Sequence, residues 1–140
     1  ILIPKEKKIN NLIIGMGTIG YLNSELSEDK FLKLVKNSIK NSLIRHSKMT
    51  GKKISKVAVV AGSGSFAIDE CLNNNVDALI TSDLKYHNFF MGTNKILLLD
   101  IGHFESEKHI KLIIREYLKK KLPNFTILSS EKNVNPVNYY

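Results

Sequence analysis

The sequence predicts an α/β domain with a mostly parallel sheet and flanking helices. Continuous β-branched apolar runs, such as KVAVVA at 56–61, are typical of strands that are covered on both faces. Segments with apolar residues at helical spacing separate these runs, and short glycine or asparagine turns lie between them. The chain has 140 residues, 43% of them hydrophobic, which is enough for one domain with a buried core.

The first part of the chain is predicted to contain one amphipathic helix. Residues 1–14 form an extended entering segment, with a turn at Asn10-Asn11 and a short strand at 12–14. Ser27 is a predicted N-cap, and apolar residues at helical spacing follow it, which predicts a helix over about 29–44. Residues 46–53 are predicted to form a polar loop.

The rest of the chain alternates predicted strands and helices. Strands are predicted at 56–61, 77–81, 95–99 and 125–128, and helices at 66–73, over one or two turns within 82–90, and from about 106 to 121. The last helix is predicted to turn four side chains inward, namely Ile110, Ile113, Ile114 and Tyr117. Polar clusters at 62–65, 82–87 and 100–107 follow three of the strands, so we expect them to converge at one edge of the sheet.

Charge and cysteine content narrow the class of protein. The net charge is +8, but all of the 21 basic residues except Arg45 and Arg115 are lysines, and they are scattered. This pattern argues against a nucleic-acid partner, and no apolar run is long enough to span a membrane. The lone Cys71 indicates a reducing compartment, so we expect a cytoplasmic protein. Because the chain does not begin with methionine, we expect it to be a piece of a longer one.

Two glycine motifs resemble phosphate-binding turns. In GMGTIG at 15–20 no helix opens inside the motif, which favours a tight turn. The second motif, GSGSFA at 62–67, has the strand–turn–helix context that phosphate binding requires. It predicts either a phosphate cradle or a sharp turn, and the residues concerned are Gly62, Ser63, Gly64 and Ser65.

The segment DIGHFESE at 100–107 predicts a metal site. His103 and Glu107 are one helical turn apart, and histidine nitrogen with carboxylate oxygen suits zinc, iron or manganese. Asp100 ends a strand and is predicted to orient a ligand. The alternative is an ordinary surface pair, which is the commoner origin of this spacing, and the position after a buried strand makes the two interpretations about equally favoured.

The segment SDLKYH at 82–87 offers a carboxylate, an ammonium and an imidazole to the same edge. We predict that His87 acts as a general acid–base group and that Lys85 balances a phosphate or a metal-bound hydroxide, with Asp83 orienting a metal ligand. The alternative is that Asp83 caps a helix and that the other two side chains are solvated.

Taken in order, the motifs GMGTIG, KVAVVAGSGSF, DALITSDLKYH and LLDIGHFESE resemble the C-terminal part of the NIF-three-like family. Members of this family are often labelled GTP cyclohydrolase 1 type 2 homologues. The resemblance implies two adjacent divalent metal ions with five protein ligands. A consecutive His-His pair and an aspartate come from an N-terminal half, and the remaining two ligands match His103 and Glu107.

The resemblance also implies how the chain is divided and assembled. Residues 1–14 resemble the exit from an inserted domain, and residues 15–140 the C-terminal half of the metal-binding domain. The sequence has no His-His pair, so the N-terminal half is an implied partner, together with further copies in a homohexamer. The implied function is metal-dependent hydrolysis of a nucleotide or another phosphate-bearing molecule. The alternative is a non-catalytic metal-binding or regulatory oligomer, and we expect the chain alone to be inactive.

Overall fold

The computed structural model describes residues 7–9, 12–40, 43–132 and 134–139, with the backbone alone at 7–9 and 12–14. The contacts divide the chain into two compact units, Ile1–Ser106 and Glu107–Tyr140. In the part of the chain that is described, no helix is long and apolar enough to cross a membrane.

The first unit is built on a five-stranded sheet. A separate antiparallel hairpin of β1 (Lys7–Ile9) and β2 (Leu12–Ile14) precedes it. The sheet strands are β3 (Thr18–Ser27), β4 (Arg45–His46), β5 (Lys53–Ser63), β6 (Ala78–Ser82) and β7 (Leu97–Asp100). Their order is β3-β5-β6-β7-β4, in which β5, β6 and β7 are parallel and the two edge strands are antiparallel. The predicted α/β fold class is confirmed.

Helices connect most of the sheet strands, and two more helices follow the last strand. They are α1 (Glu28–Ile39), α2 (Ile68–Asn73), α3 (Asn88–Met91), α4 (His103–Glu107) and α5 (Ile110–Lys121), and a 3₁₀ turn at Ser65–Ala67 leads into α2. Helix α1 begins where Ser27 caps it, because the Ser27 hydroxyl accepts a hydrogen bond from the Lys30 N–H.

The strands β6 and β7 bury both faces, as their apolar sequence predicts, whereas the apolar run of β5 is exposed at Val59 and Ala61. Side chains of β5, β6 and β7 contribute alternately to two clusters. One cluster includes α2 and comprises chiefly Ala58, Val60, Ile68, Cys71, Leu79, Ile96 and Leu98. The other includes α1 and comprises chiefly Phe31, Val35, Ile54, Val57, Leu97 and Leu99. This two-faced core fixes the carboxyl ends of the three parallel strands at one edge.

Three predictions for the first unit need correction. The helix predicted over 29–44 ends at Ile39, because Lys40 adopts a left-handed conformation with φ 51°. The strand β3 was not predicted, because its polar and glycine-containing sequence lacks the apolar run of a central strand. The predicted loop at 46–53 contains the end of β4, which pairs with β7. The predicted turn at residues 10–11 lies outside the described residues, whereas the strand predicted at 12–14 is confirmed as β2.

Three predictions for the C-terminal part are wrong. The long helix predicted from 106 to 121 is two helices, α4 and α5. No strand is described at 125–128, where Leu128 is 88% exposed and has no neighbouring strand to pair with among the described residues of the second unit. The four side chains predicted to face inward are also exposed by half or more, and they are Ile110, Ile113, Ile114 and Tyr117.

Candidate metal centre

The three polar clusters that follow β5, β6 and β7 meet at one edge of the sheet. The Thr81 and Ser82 hydroxyls both donate to the Gly62 carbonyl oxygen, over 3.0 and 2.6 Å. The Gly62 N–H donates to Ser106 Oγ over 2.9 Å, and that hydroxyl donates to the His103 carbonyl oxygen. These bonds connect the first glycine turn to both of the other clusters, as the parallel topology predicts.

The glycine turn after β5 is tightly packed. Gly62 has φ 67°, and a Cβ atom at Gly64 would lie 2.2 Å from Thr81 Oγ1, so both positions require glycine. Both polar backbone groups of Gly62 are engaged inside the unit. These contacts support the sharp-turn alternative, while phosphate binding by residues 62–65 stays a prediction.

Asp83 and His103 form the central contact of the edge. Asp83 has the left-handed φ of 56°, which directs its carboxylate to the start of α4. There Asp83 Oδ2 lies 2.5 Å from His103 Nδ1, and both side chains are about half exposed. A carboxylate at Nδ1 fixes the tautomer and the orientation of a histidine ring, so Nε2 is the ring atom that would bind a metal ion.

Asp100 contacts the backbone of two loops instead of the histidine ring. Its carboxylate accepts hydrogen bonds from the Leu84 N–H over 2.9 Å and from the Gly102 N–H over 3.1 Å, and it pairs with Arg45. The side chain is 5% exposed. Asp100 therefore contacts the residues next to Asp83 and His103, and the ligand-orienting role predicted for it stays a prediction.

The predicted catalytic groups Lys85 and His87 are exposed. The Lys85 backbone N–H donates to Asn88 Oδ1 over 2.8 Å, and His87 is the residue that precedes α3. Neither side chain hydrogen-bonds to another residue that the structure describes. They lie on the same loop as Asp83, but the contacts do not hold them towards His103.

Glu107 is exposed and is the last residue of α4. Among the residues described, no group of three or more His, Cys, Asp or Glu side chains could hold a metal ion. The buried Cys71 is not such a ligand either, because burial and, second, the Glu70 charge raise the pKa of its thiol to about 12. Metal binding by His103 and Glu107 therefore stays a prediction, and the described residues do not assemble a complete ligand set.

The sequence did not point to Arg45, and it placed Ser106 at this edge only as a member of the polar cluster at 100–107. Arg45 lies between the predicted helix at 29–44 and the predicted loop at 46–53, and it reaches Asp100 across 55 residues of sequence. Its one signal in the sequence is that it is one of two arginines in a lysine-rich chain. Ser106 carries no signal, because a serine in the first turns of a helix is common.

Known proteins resemble nearly the whole chain. The Duf34/NIF3 (NGG1p interacting factor 3) family model matches residues 3–136. A GTP cyclohydrolase 1 type 2 homolog of Staphylococcus epidermidis is 29% identical over 129 residues, which cover 89% of this chain and 35% of that protein. A protein of the same name from Campylobacter jejuni is 31% identical over 121 residues, which cover 86% of this chain and 48% of that protein.

Solved structures agree with these matches. The crystal structure of a Bacillus cereus protein related to NIF3 has a TM-score of 0.76 and 26% identity, and the match covers 92% of this chain and 37% of that one. Staphylococcus aureus protein SA1388 has the same TM-score at 20% identity, over 90% of this chain and 42% of that one. The chain thus spans less than half the length of these relatives. On the evidence of its sequence and its fold, the chain belongs to the Duf34/NIF3 family.

Proposed function

We propose that this chain supplies half of a dinuclear metal centre in a metal-dependent hydrolase, with His103 and Glu107 as two of the ligands. The observation that carries the proposal is the 2.5 Å contact between Asp83 Oδ2 and His103 Nδ1. Histidines that bind metal ions commonly donate their other ring N–H to a carboxylate, which also makes the ring a stronger ligand. The contact lies at the carboxyl ends of parallel strands, where α/β proteins place their sites.

The donor atoms fit a divalent transition metal. His103 Nε2 and the Glu107 carboxylate would supply one nitrogen and one or two oxygens, a set that suits zinc, iron or manganese. Two ligands are too few to hold an ion tightly, and the residues described contain no larger group. The family resemblance suggests that a His-His pair and an aspartate from an N-terminal half complete the site within a homohexamer.

The proposed reaction is hydrolysis of a nucleotide or another phosphate-bearing molecule. Two bound divalent ions would polarise the bond that breaks and make water more acidic. On this chain, Asp83 keeps the His103 ring in one orientation throughout. Lys85 would offset the negative charge of a phosphate, and His87 would donate or accept a proton, once substrate binding draws these exposed side chains to the edge.

Metal titration of ligand variants tests the assignment. In the protein assembled with its N-terminal half, His103→Ala and Glu107→Ala should each weaken zinc binding by at least about tenfold, measured by competition with a chelator. His109→Ala and Glu131→Ala are matched controls, because they remove the same exposed groups elsewhere and should leave the affinity unchanged. Wild-type zinc content in both ligand variants would contradict the proposal.

A non-catalytic metal-binding role is the second candidate. It is favoured by the exposure of Lys85 and His87, because catalytic side chains are normally held in place by packing and hydrogen bonds. The two candidates differ in turnover by the metal-loaded protein against a panel of nucleotides. Hydrolysis that is lost in His87→Gln supports the hydrolase, whereas full metal occupancy with no turnover across the panel supports the second role.

A further inference from the structure

We infer that Arg45 is a positioning residue for His103: it holds the loop from which Asp83 fixes the histidine ring. The inference rests on the proposed function, because the orientation of the ring matters for metal binding only if His103 is a ligand. Nothing in the family resemblance points to Arg45. It lies on the two-residue edge strand β4, directly opposite Asp100 in the register with β7.

The Arg45 guanidinium makes three contacts at the edge of the sheet. Its Nη2 atom donates to the Asp100 carboxylate and, over 2.9 Å, to the Leu84 carbonyl oxygen. Its central carbon lies 5.5 Å from the centroid of the Phe89 ring, a distance typical of a cation–π contact. A planar guanidinium suits this combination of an ion pair, a carbonyl and an aromatic ring, and a lysine ammonium does not.

Asp100 links Arg45 to two loops, the one that carries Asp83 and the one that precedes His103. The buried carboxylate accepts from the Leu84 N–H and from the Gly102 N–H, while Arg45 balances its charge. Leu84 follows Asp83 in sequence, and Gly102 precedes His103. Arg45 and Asp100 thus hold Leu84 and Gly102, the residues next to Asp83 and His103. We call this pair the Arg45–Asp100 clamp.

The Asp83 backbone needs such a clamp. A left-handed conformation is disfavoured in residues other than glycine, although aspartate tolerates it better than most. It persists where the surrounding contacts fix the chain on either side. Without Arg45, the Asp100 carboxylate loses the cation that offsets its burial, and the Leu84 carbonyl loses a donor. The loop then relaxes, and the Asp83 carboxylate no longer stays on His103 Nδ1.

The tautomer of His103 in the metal-free chain tests the inference. Long-range ¹H–¹⁵N spectra distinguish a proton on Nδ1 from one on Nε2, and they are recorded at about pH 8, where an ordinary histidine is neutral. Wild type should show the Nδ1-protonated ring that donates to Asp83. Asp83→Gly removes the carboxylate while permitting the left-handed backbone, so its spectrum gives the unpaired reference.

Arg45→Gln should lose most of the Nδ1-protonated signal and approach the Asp83→Gly spectrum, and Arg45→Lys should lose part of it. Lys53→Gln is the matched control, because it removes an exposed cation from the same sheet without touching this edge and should keep the wild-type spectrum. Thermal unfolding of each variant verifies that it is folded, and Arg45→Lys remains informative if Arg45→Gln is not.

A folded Arg45→Gln or Arg45→Lys chain with the wild-type His103 tautomer overturns the inference, whatever the metal does. Zinc affinity of the protein assembled with its N-terminal half should fall by about threefold to tenfold in Arg45→Gln, less than for loss of a direct partner. If His103→Ala leaves zinc binding unchanged, the proposed function fails instead, and the spectra of the metal-free chain still decide the role of Arg45.

Discussion

Helices α1 and α5 are each twelve residues long and each carry an apolar stripe, but the stripe of α1 is buried in its unit and that of α5 is exposed. Phe31 and Val35 of α1 are 1% and 5% exposed, whereas Ile113 and Tyr117 of α5 are 61% and 59% exposed. The apolar spacing defines a face in both helices. The difference shows that covering the face depends on contacts that the helix does not itself provide.

Polar contacts account for part of the difference. The Glu28 carboxylate, at the start of α1, is buried and accepts hydrogen bonds from the Thr50 N–H, the Thr50 hydroxyl and the Gly51 N–H. These bonds hold α1 against the sheet, so its stripe meets β3 and β5. In α5 the Lys111 ammonium donates to the Ser130 and Lys132 carbonyls, but these bonds leave Ile113 and Tyr117 exposed.

Removal of the largest side chain of the α1 stripe should have the largest effect. We expect Phe31→Ala to lower the free energy of unfolding by about 3–5 kcal/mol, because it leaves a cavity between α1 and the sheet. Urea unfolding followed by circular dichroism measures the loss. A loss below about 1 kcal/mol would show that the buried face of α1 contributes no more than an exposed one.

Loss of the polar anchor of α1 should have an intermediate effect. We expect Glu28→Gln to lower the free energy of unfolding by about 1–3 kcal/mol, because one charged acceptor serves three donors and an amide oxygen cannot replace both carboxylate oxygens. Glu25→Gln is the matched control, since Glu25 is exposed and its nearest cation, Lys53, is 3.7 Å away. Equal losses in the two variants would contradict an anchoring role.

The same contrast explains which parts of the fold the sequence predicts. Each of β5, β6 and β7 contains an uninterrupted apolar run, at 57–61, 78–80 and 97–99, so each strand is predictable from its own residues. The two edge strands are not. β3 has a mixed sequence whose extended form depends on pairing with β5, and β4 is only two residues long. The prediction of a strand at 125–128 was wrong for the opposite reason. Its residues favour a strand, but no described neighbouring strand pairs with them.

Some features of the candidate metal centre were likewise predictable from the sequence and others were not. The convergence of the three strand ends follows from parallel topology, and His103 is recognisable from its motif. The Asp83–His103 contact depends on a left-handed backbone at an ordinary aspartate, and the link from Arg45 to Asp100 spans 55 residues. Neither contact can be recognised from neighbouring residues in the sequence. Asp83 and Asp100 were therefore both predicted to orient a metal ligand, although only Asp83 contacts the His103 ring.

The smallest effect is expected on the exposed face of α5. Ile113→Ser should change the free energy of unfolding by no more than about 0.5 kcal/mol, because the side chain loses little contact and isoleucine and serine have similar helix propensities. Lys119→Ser, on the same helix, is the control for a polar exposed position.

Unfolding is measured in urea at two chain concentrations. If the chain in solution instead covers this face, Ile113→Ser should cost about 2 kcal/mol or more, as a buried residue does, and a loss that grows with concentration would identify a second copy as the cover. The size of the effect at Ile113 relative to Phe31 therefore measures directly how differently the two stripes are covered.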